Sequence, residues 1–93
     1  MLADADNNTK IQVEESANDD IIRFDMGGAE YFRMNRGRLE VLNTGNSVYL
    51  GNAAGFNDDF TDNMNVGIGY EALHSNTTGN FNTANGYKTL YSN

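Results

Sequence analysis

Apolar residues alternate with polar ones along the first half of the chain, in short bursts. Ile11 and Val13 alternate with Lys10, Gln12 and Glu14. Ile22, Phe24 and Met26 alternate with Arg23 and Asp25. Tyr31–Asn35 offers Phe32 and Met34 on one face, and Arg38–Leu42 offers Leu39 and Val41. A period of two is the signature of a strand with one apolar face. Gly27-Gly28 and Asn35-Arg36-Gly37 separate the bursts with residues that tolerate left-handed backbone. The pattern therefore predicts short strands joined by tight turns.

The pattern changes near Asn43-Thr44-Gly45-Asn46, a turn signal that divides the chain into residues 1–45 and 46–93. Beyond it the sequence repeats. Aligning Gly51, Gly69 and Gly86 gives spacings of 18 and 17 residues. Three positions before each glycine stand Val48, Val66 and Thr83, and one position before stand Leu50, Ile68 and Asn85. Five positions after it, Phe56, His74 and Tyr91 are all rings. Each unit reads as a short strand, a glycine corner, a compact segment and a polar turn. Tyr70–Ser75 is too short for an isolated helix and is expected to be a loop or single turn.

One such unit cannot bury an apolar face alone, whereas stacked units cover one another. The expectation is that Val48, Leu50, Val66 and Ile68 form the inward columns of the stack, with Gly51, Gly69 and Gly86 at its corners. On that reading Ile68→Asp is far more damaging than Tyr70→Ala. Thr83 and Asn85 break the apolar columns in the third unit. Polar side chains that meet their own copies on a threefold axis would satisfy one another, so a homotrimer is expected.

Composition agrees with many turns: 15 Asn, 10 Gly and no Pro in 93 residues. The fold class expected is all-β, with short strands in a trimeric fibrous β-prism followed by a β-helix or β-solenoid-like repeat region. The net charge is −7, and the acids Asp25, Glu30 and Glu40 are interleaved with Arg23, Arg33, Arg36 and Arg38. A nucleic-acid binder presents a basic face, so none is expected here. Without Cys there is no disulfide, zinc–thiolate site or thiol nucleophile. No apolar run approaches the roughly 20 residues that cross a bilayer, so no membrane insertion is expected.

Two stretches carry a resemblance. "NSVYLGNAAG" (46–55) and "NVGIGYEALHSNTTGN" (65–80) resemble the head repeats of trimeric autotransporter adhesins. They are also similar to the Asn/Thr/Gly-rich repeats of bacterial and phage tail fibres, which often end in an endosialidase-type intramolecular chaperone domain. The first half, with its acidic "DADNNTKIQVEE" and its "IIRFDMGGAEYFRMNRGRLEVLNTGNSVYLG", resembles a segment of such fibres. The resemblance implies a homotrimeric structural module, a spacer or head used in attachment to a host or surface. It implies an extracellular place, at a cell surface or on a virion tail fibre, and no enzymatic activity in this segment. The alternative is a module whose lateral surface itself binds a glycan or receptor. The repeat is longer than the adhesin one, and it breaks off after Ser92-Asn93, as a piece of a longer fibre would.

Candidate chemistry is sparse. Asp4, Asp6, Asn8 and Glu15 fall at calcium-loop spacing, but Thr9 stands where that loop needs glycine. A polar turn entering a strand is the stronger reading, and no metal or cofactor is expected. His74, the single histidine, aligns with Phe56 and Tyr91 and reads as a packing ring rather than a base. Asn7-Asn8-Thr9 and Asn76-Thr77-Thr78 match the glycosylation pattern, and read as turns. Tyr70 and Tyr87 follow the repeat glycines and could face outward, where exposed rings can stack on sugars; packing is the stronger reading.

Overall fold

The computed structural model describes residues 2–13, 16–18 and 20–92. It is all-β, with eight strands and no helix among the described residues. The chain divides into two compact units, Met1–Asn43 and Thr44–Asn93.

The first unit is a five-stranded antiparallel meander, its strands adjacent in chain order: β1 (Leu2–Ala3), β2 (Lys10–Gln12), β3 (Ile22–Met26), β4 (Ala29–Asn35) and β5 (Arg38–Val41). The register sorts the side chains by chemistry. Leu2, Ile11, Phe24, Phe32 and Val41 face one another across all five strands, and Ile22, Met34 and Leu39 form a second apolar row. Gln12, Arg23, Arg33 and Glu40 form a row of the opposite parity. Between β3 and β4 the register shifts, so that Phe24 pairs with Phe32 but Asp25 pairs with Glu30. The extra residue, Tyr31, is a bulge that reverses the parity of β4. Glu30 thereby joins the charged face, where strict alternation from Phe32 would have put it on the apolar one.

The second unit stacks three parallel strands in register: β6 (Val48–Leu50), β7 (Val66–Ile68) and β8 (Thr83–Asn85). Backbone bonding between successive stretches continues outside the strands. Gly55 N–H donates to Ala72 O and Leu73 N–H to Thr89 O, at 2.9 and 3.0 Å. Glu71 N–H donates to Asn52 O and Lys88 N–H to Tyr70 O, at 2.9 and 2.8 Å. Tyr70–Ser75 is a run of tight turns, with positive φ at Glu71 and Leu73. The difference between the 18- and 17-residue spacings is absorbed between Asp58 and Asn63, one residue longer than the equivalent Asn76–Asn80.

The interior of this unit differs from the sequence expectation. In each strand the middle residue points inward: Tyr49 is half-buried, Gly67 is buried and Ala84 is fully buried. Ala72 and Leu73 reach the same interior from the turns, and Tyr49 packs against them. Val48, Leu50 and Ile68 instead lie on the outer face, 38 %, 67 % and 36 % exposed, and Val66 shares their side of the ladder. They are not the core of the single chain. A stretch that turns so tightly encloses too little space for two columns of branched side chains. One large ring and several small residues fill it instead.

Candidate functional site

The most distinctive surfaces are apolar and outward. On the sheet unit, Leu2, Ile22, Met26, Met34 and Leu39 are all at least 39 % exposed, and with Ile11, Phe24 and Phe32 they share one face. That face carries an open concavity of about 460 Å³ lined mainly by Leu2, Ile11, Phe24, Met26 and Phe32. The opposite face is the better covered one. Arg23 is 9 % exposed, and its guanidinium lies 3.4 Å from Glu30. Arg33 sits 3.7 Å from Glu30 and 3.5 Å from Glu40, and Lys10 is 4.0 Å from Asp25. Long charged side chains lying side by side shield one another, while Leu2, Met34 and Leu39 on the apolar face stay 69 %, 48 % and 64 % exposed.

On the repeat unit, parallel register turns sequence period into columns. Val48, Val66 and Thr83 form one outward column; Leu50, Ile68 and Asn85 form the other. Gly51, Gly69 and Gly86 follow these columns with φ of 133°, 122° and 132°. A Cβ on Gly51 would come within 2.6 Å of Gly69 O, and one on Gly69 within 2.6 Å of Gly86 O. Glycine is needed there for conformation and for close approach of successive backbones.

Stacking also brings the ring positions together. Phe56 and His74 are 5.3 Å apart and 5° from parallel; His74 and Tyr91 are 4.8 Å apart and 10° from parallel. Tyr70 and Tyr87 stack at 5.5 Å, and the Lys88 ammonium lies 5.6 Å from the Tyr87 ring. His74 is thus a member of an aromatic ladder. Its Nε2 is 3.9 Å from a Glu71 carboxylate oxygen, too far for a hydrogen bond. Hydrogen bonding to Glu71 pushes the Tyr70 phenol above its ordinary value.

The calcium-spaced residues lie in the β1–β2 hairpin loop. Asp4 Oδ1 accepts from Thr9 N–H and Asp6 Oδ1 from Asn8 N–H, both at 3.2 Å. These carboxylates brace a turn; Glu15 lies outside the described residues. No cluster of three or more metal-ligating side chains occurs among the described residues. Asn76 is 3 % exposed and donates its amide to Gly79 O at 3.0 Å, which leaves no room for a glycan. Among the described residues no helix is long and apolar enough to cross a membrane.

Sequence reasoning missed the polar spine at the fourth position before each glycine: Ser47, Asn65 and Asn82. Ser47 Oγ accepts from Asn65 N–H at 3.0 Å, and Asn65 Oδ1 accepts from Asn82 N–H at 2.8 Å. The Asn65 amide also donates to Gly79 O at 2.7 Å. Each stretch thereby satisfies a backbone donor of the next. The signal was present as three small polar residues at one repeat position. Tyr49 was missed as well: burial pushes its phenol up, and Gly55 and Gly67 leave the space its ring occupies. Compared with known proteins, the chain matches no family model, no curated protein and no solved structure.

Proposed function

We propose that the chain is a structural module of a homotrimeric fibre, a spacer or head in surface attachment, built as a β-prism followed by a β-solenoid. What supports this reading is the unpartnered apolar face of the sheet unit. Leu2, Met34 and Leu39 on it are 69 %, 48 % and 64 % exposed in the single chain. The fully buried hydrophobic residues, by contrast, are Ala72, Leu73 and Ala84 among the described residues, and none lies in the five-stranded sheet unit. A single layer cannot enclose its own apolar face, and a closed ring of three identical sheets can. The rows carry no charge that would favour an unlike partner. In a fibre of this kind the module's work is mechanical: it sets the distance and alignment of whatever the fibre presents.

Light scattering after gel filtration tests the reading. The expected mass is three times the 10.2 kDa chain. A folded monomer at micromolar concentration overturns it. A second reading, that the lateral surface itself binds a glycan, rests on Tyr70 and Tyr87, 45 % and 73 % exposed. A glycan array on the assembled protein separates the two, with Tyr87→Ala as the control that should abolish any binding.

A further inference from the structure

The repeat corners decide which residue follows the last position of each strand. Gly51, Gly69 and Gly86 hold φ of 133°, 122° and 132°, a conformation that glycine adopts without strain. In the first two stretches the residue before the corner is Leu50 or Ile68, whose side chains are inert. In the third it is Asn85. The chain has 15 asparagines, and Asn85 is the only one followed by glycine. A carboxamide carbon and the next backbone nitrogen can close a cyclic imide, and a glycine, having no Cβ, leaves that nitrogen open to react. Asn85 is exposed, and in the three-stranded sheet β8 has a neighbour on one side only. The Gly86 N–H, however, donates to Ile68 O at 2.7 Å, as the Gly69 N–H does to Leu50 O at 2.8 Å.

We propose that Asn85, with Gly86, is a self-modification site, locked while the third stretch is stacked and released when that stretch comes off. Copy number plays no part in it. The reaction needs the Gly86 nitrogen to lose its proton. That nitrogen attacks Asn85 Cγ, the Cγ–Nδ2 bond breaks, and the side-chain nitrogen leaves as ammonia with the proton. Water then opens the succinimide at one of its two carbonyls. Breaking the new N–Cγ bond gives aspartate. Breaking the original peptide C–N bond gives isoaspartate, whose backbone runs through the side chain. One water is gained and one ammonia lost, with no other reactant. The proton removed is the one held by Ile68 O, and the attack must bend a strand that is extended. Both requirements wait for local opening, the same event that exposes an amide to hydrogen exchange. An edge strand has one neighbour to leave. The isoaspartate product carries an added methylene in its backbone, so the in-register pairing of β7 with β8 and the bond from Gly86 to Ile68 cannot both re-form. Either product adds a negative charge to a chain of net charge −7. Unstacking at this one corner is thereby made irreversible, which Leu50 and Ile68 could not do at theirs.

The experiment ages the folded protein, and the same protein in concentrated urea, at neutral pH. Peptide mapping by mass spectrometry reads the exchange of ammonia for water at each asparagine. Hydrogen exchange on fresh folded protein reads the protection of the Gly86 N–H. In urea Asn85 is expected to change before any other asparagine. In the folded protein it should change at least about tenfold more slowly, and by the factor that protects the Gly86 N–H, because both draw on one open population. Asn85→Gln, which would have to close a larger ring, should stay unchanged at that position in both conditions. The isoaspartyl chain, separated by chromatography, should lose protection at Val66, whose N–H donates to Asn82 O at 2.8 Å, while Gly69, bonded to Leu50 O, keeps its own. Equal rates in the two conditions, an earlier change at another asparagine in urea, or an isoaspartyl chain with Val66 still protected overturns the inference. So does a slowing that departs from the Gly86 protection by more than about tenfold. A monomeric parent would sink the fibre reading and leave this one standing.

Discussion

The two units solve the burial problem in opposite ways. The sheet unit has one layer, so each side chain has two choices of side and neither is enclosed. Its charged face is knitted by Arg23–Glu30, Arg33–Glu30, Arg33–Glu40 and Lys10–Asp25 pairs, while Phe24, Phe32 and their neighbours wait on the other side. The repeat unit turns each stretch back on itself and encloses Tyr49, Leu73, Ala72 and Ala84. The same period of two thus yields an open face in one unit and a filled interior in the other. The difference is the connection: tight turns at Gly27-Gly28 and Arg36-Gly37 return the chain within one layer, whereas turns at Gly51, Glu71 and Leu73 carry it around an interior. The repeat unit should hold together by itself, and the sheet unit should depend on copies.

The largest effect should come from placing a charge on the sheet's apolar row. Phe32→Asp should prevent assembly and unfold the sheet unit, a loss of several kcal/mol. Hydrogen exchange should then show Val66–Ile68 still protected while Ile22–Met26 exchanges freely. Equal loss in both units would erase the contrast between them.

Gly55→Ala strikes the repeat interior. Its φ is +63°, and the new methyl would fall 2.4 Å from the Tyr49 ring. A loss of about 2–4 kcal/mol is expected from backbone strain and overpacking together. The change in denaturation midpoint measures it. In a Tyr49→Ala background the same substitution should cost less, because the ring it strikes is gone; a double-mutant cycle with no coupling would place Tyr49 elsewhere.

Ile68→Asp sharpens the question of inside and outside. With Ile68 on the outer face, the substitution should change the stability of an isolated chain by about 0.5 kcal/mol or less. It should weaken association of copies by about tenfold or more, a change of at least 1.4 kcal/mol. Sedimentation at several concentrations separates the two effects. Collapse of the monomer itself would restore Ile68 to the core.

Arg33→Ala should be mild. Arg33 is about a third exposed and shares Glu30 and Glu40 with other cations, so a loss near 1 kcal/mol by thermal melting is expected. The smallest effect is a local one with pH. Backbone N–H donation from Thr61, joined by its hydroxyl and the Asn63 amide, holds Asp59 below the usual carboxylate range. A depressed folded value means the contribution is present above about pH 4. It fades as pH falls through the lower folded value. The Thr61 amide chemical shift should move below about pH 4, and Asp59→Asn should remove that movement.

Hydrophobic alternation located most of the strands but not β1, and it placed the start of β4 two residues late. Alternation placed β3 and β5 within a residue of their ends, and the glycine spacing placed β6, β7 and β8 in one family. It aligned Phe56, His74 and Tyr91 before any stacking was visible. Alternation names two faces, however, and is silent on which one closes. Val48, Leu50 and Ile68 look like a core because they are apolar, yet Gly67 and Ala84 are inside because they are small. Size complementarity, as between the Tyr49 ring and the bare backbone of Gly55 and Gly67, exists only once the stretches are stacked. The bulge at Tyr31, the pairing of Leu2 with Ile11 and the Ser47–Asn65–Asn82 spine are likewise products of register. Register is a relation between distant segments, fixed by packing and backbone bonding that no local pattern encodes.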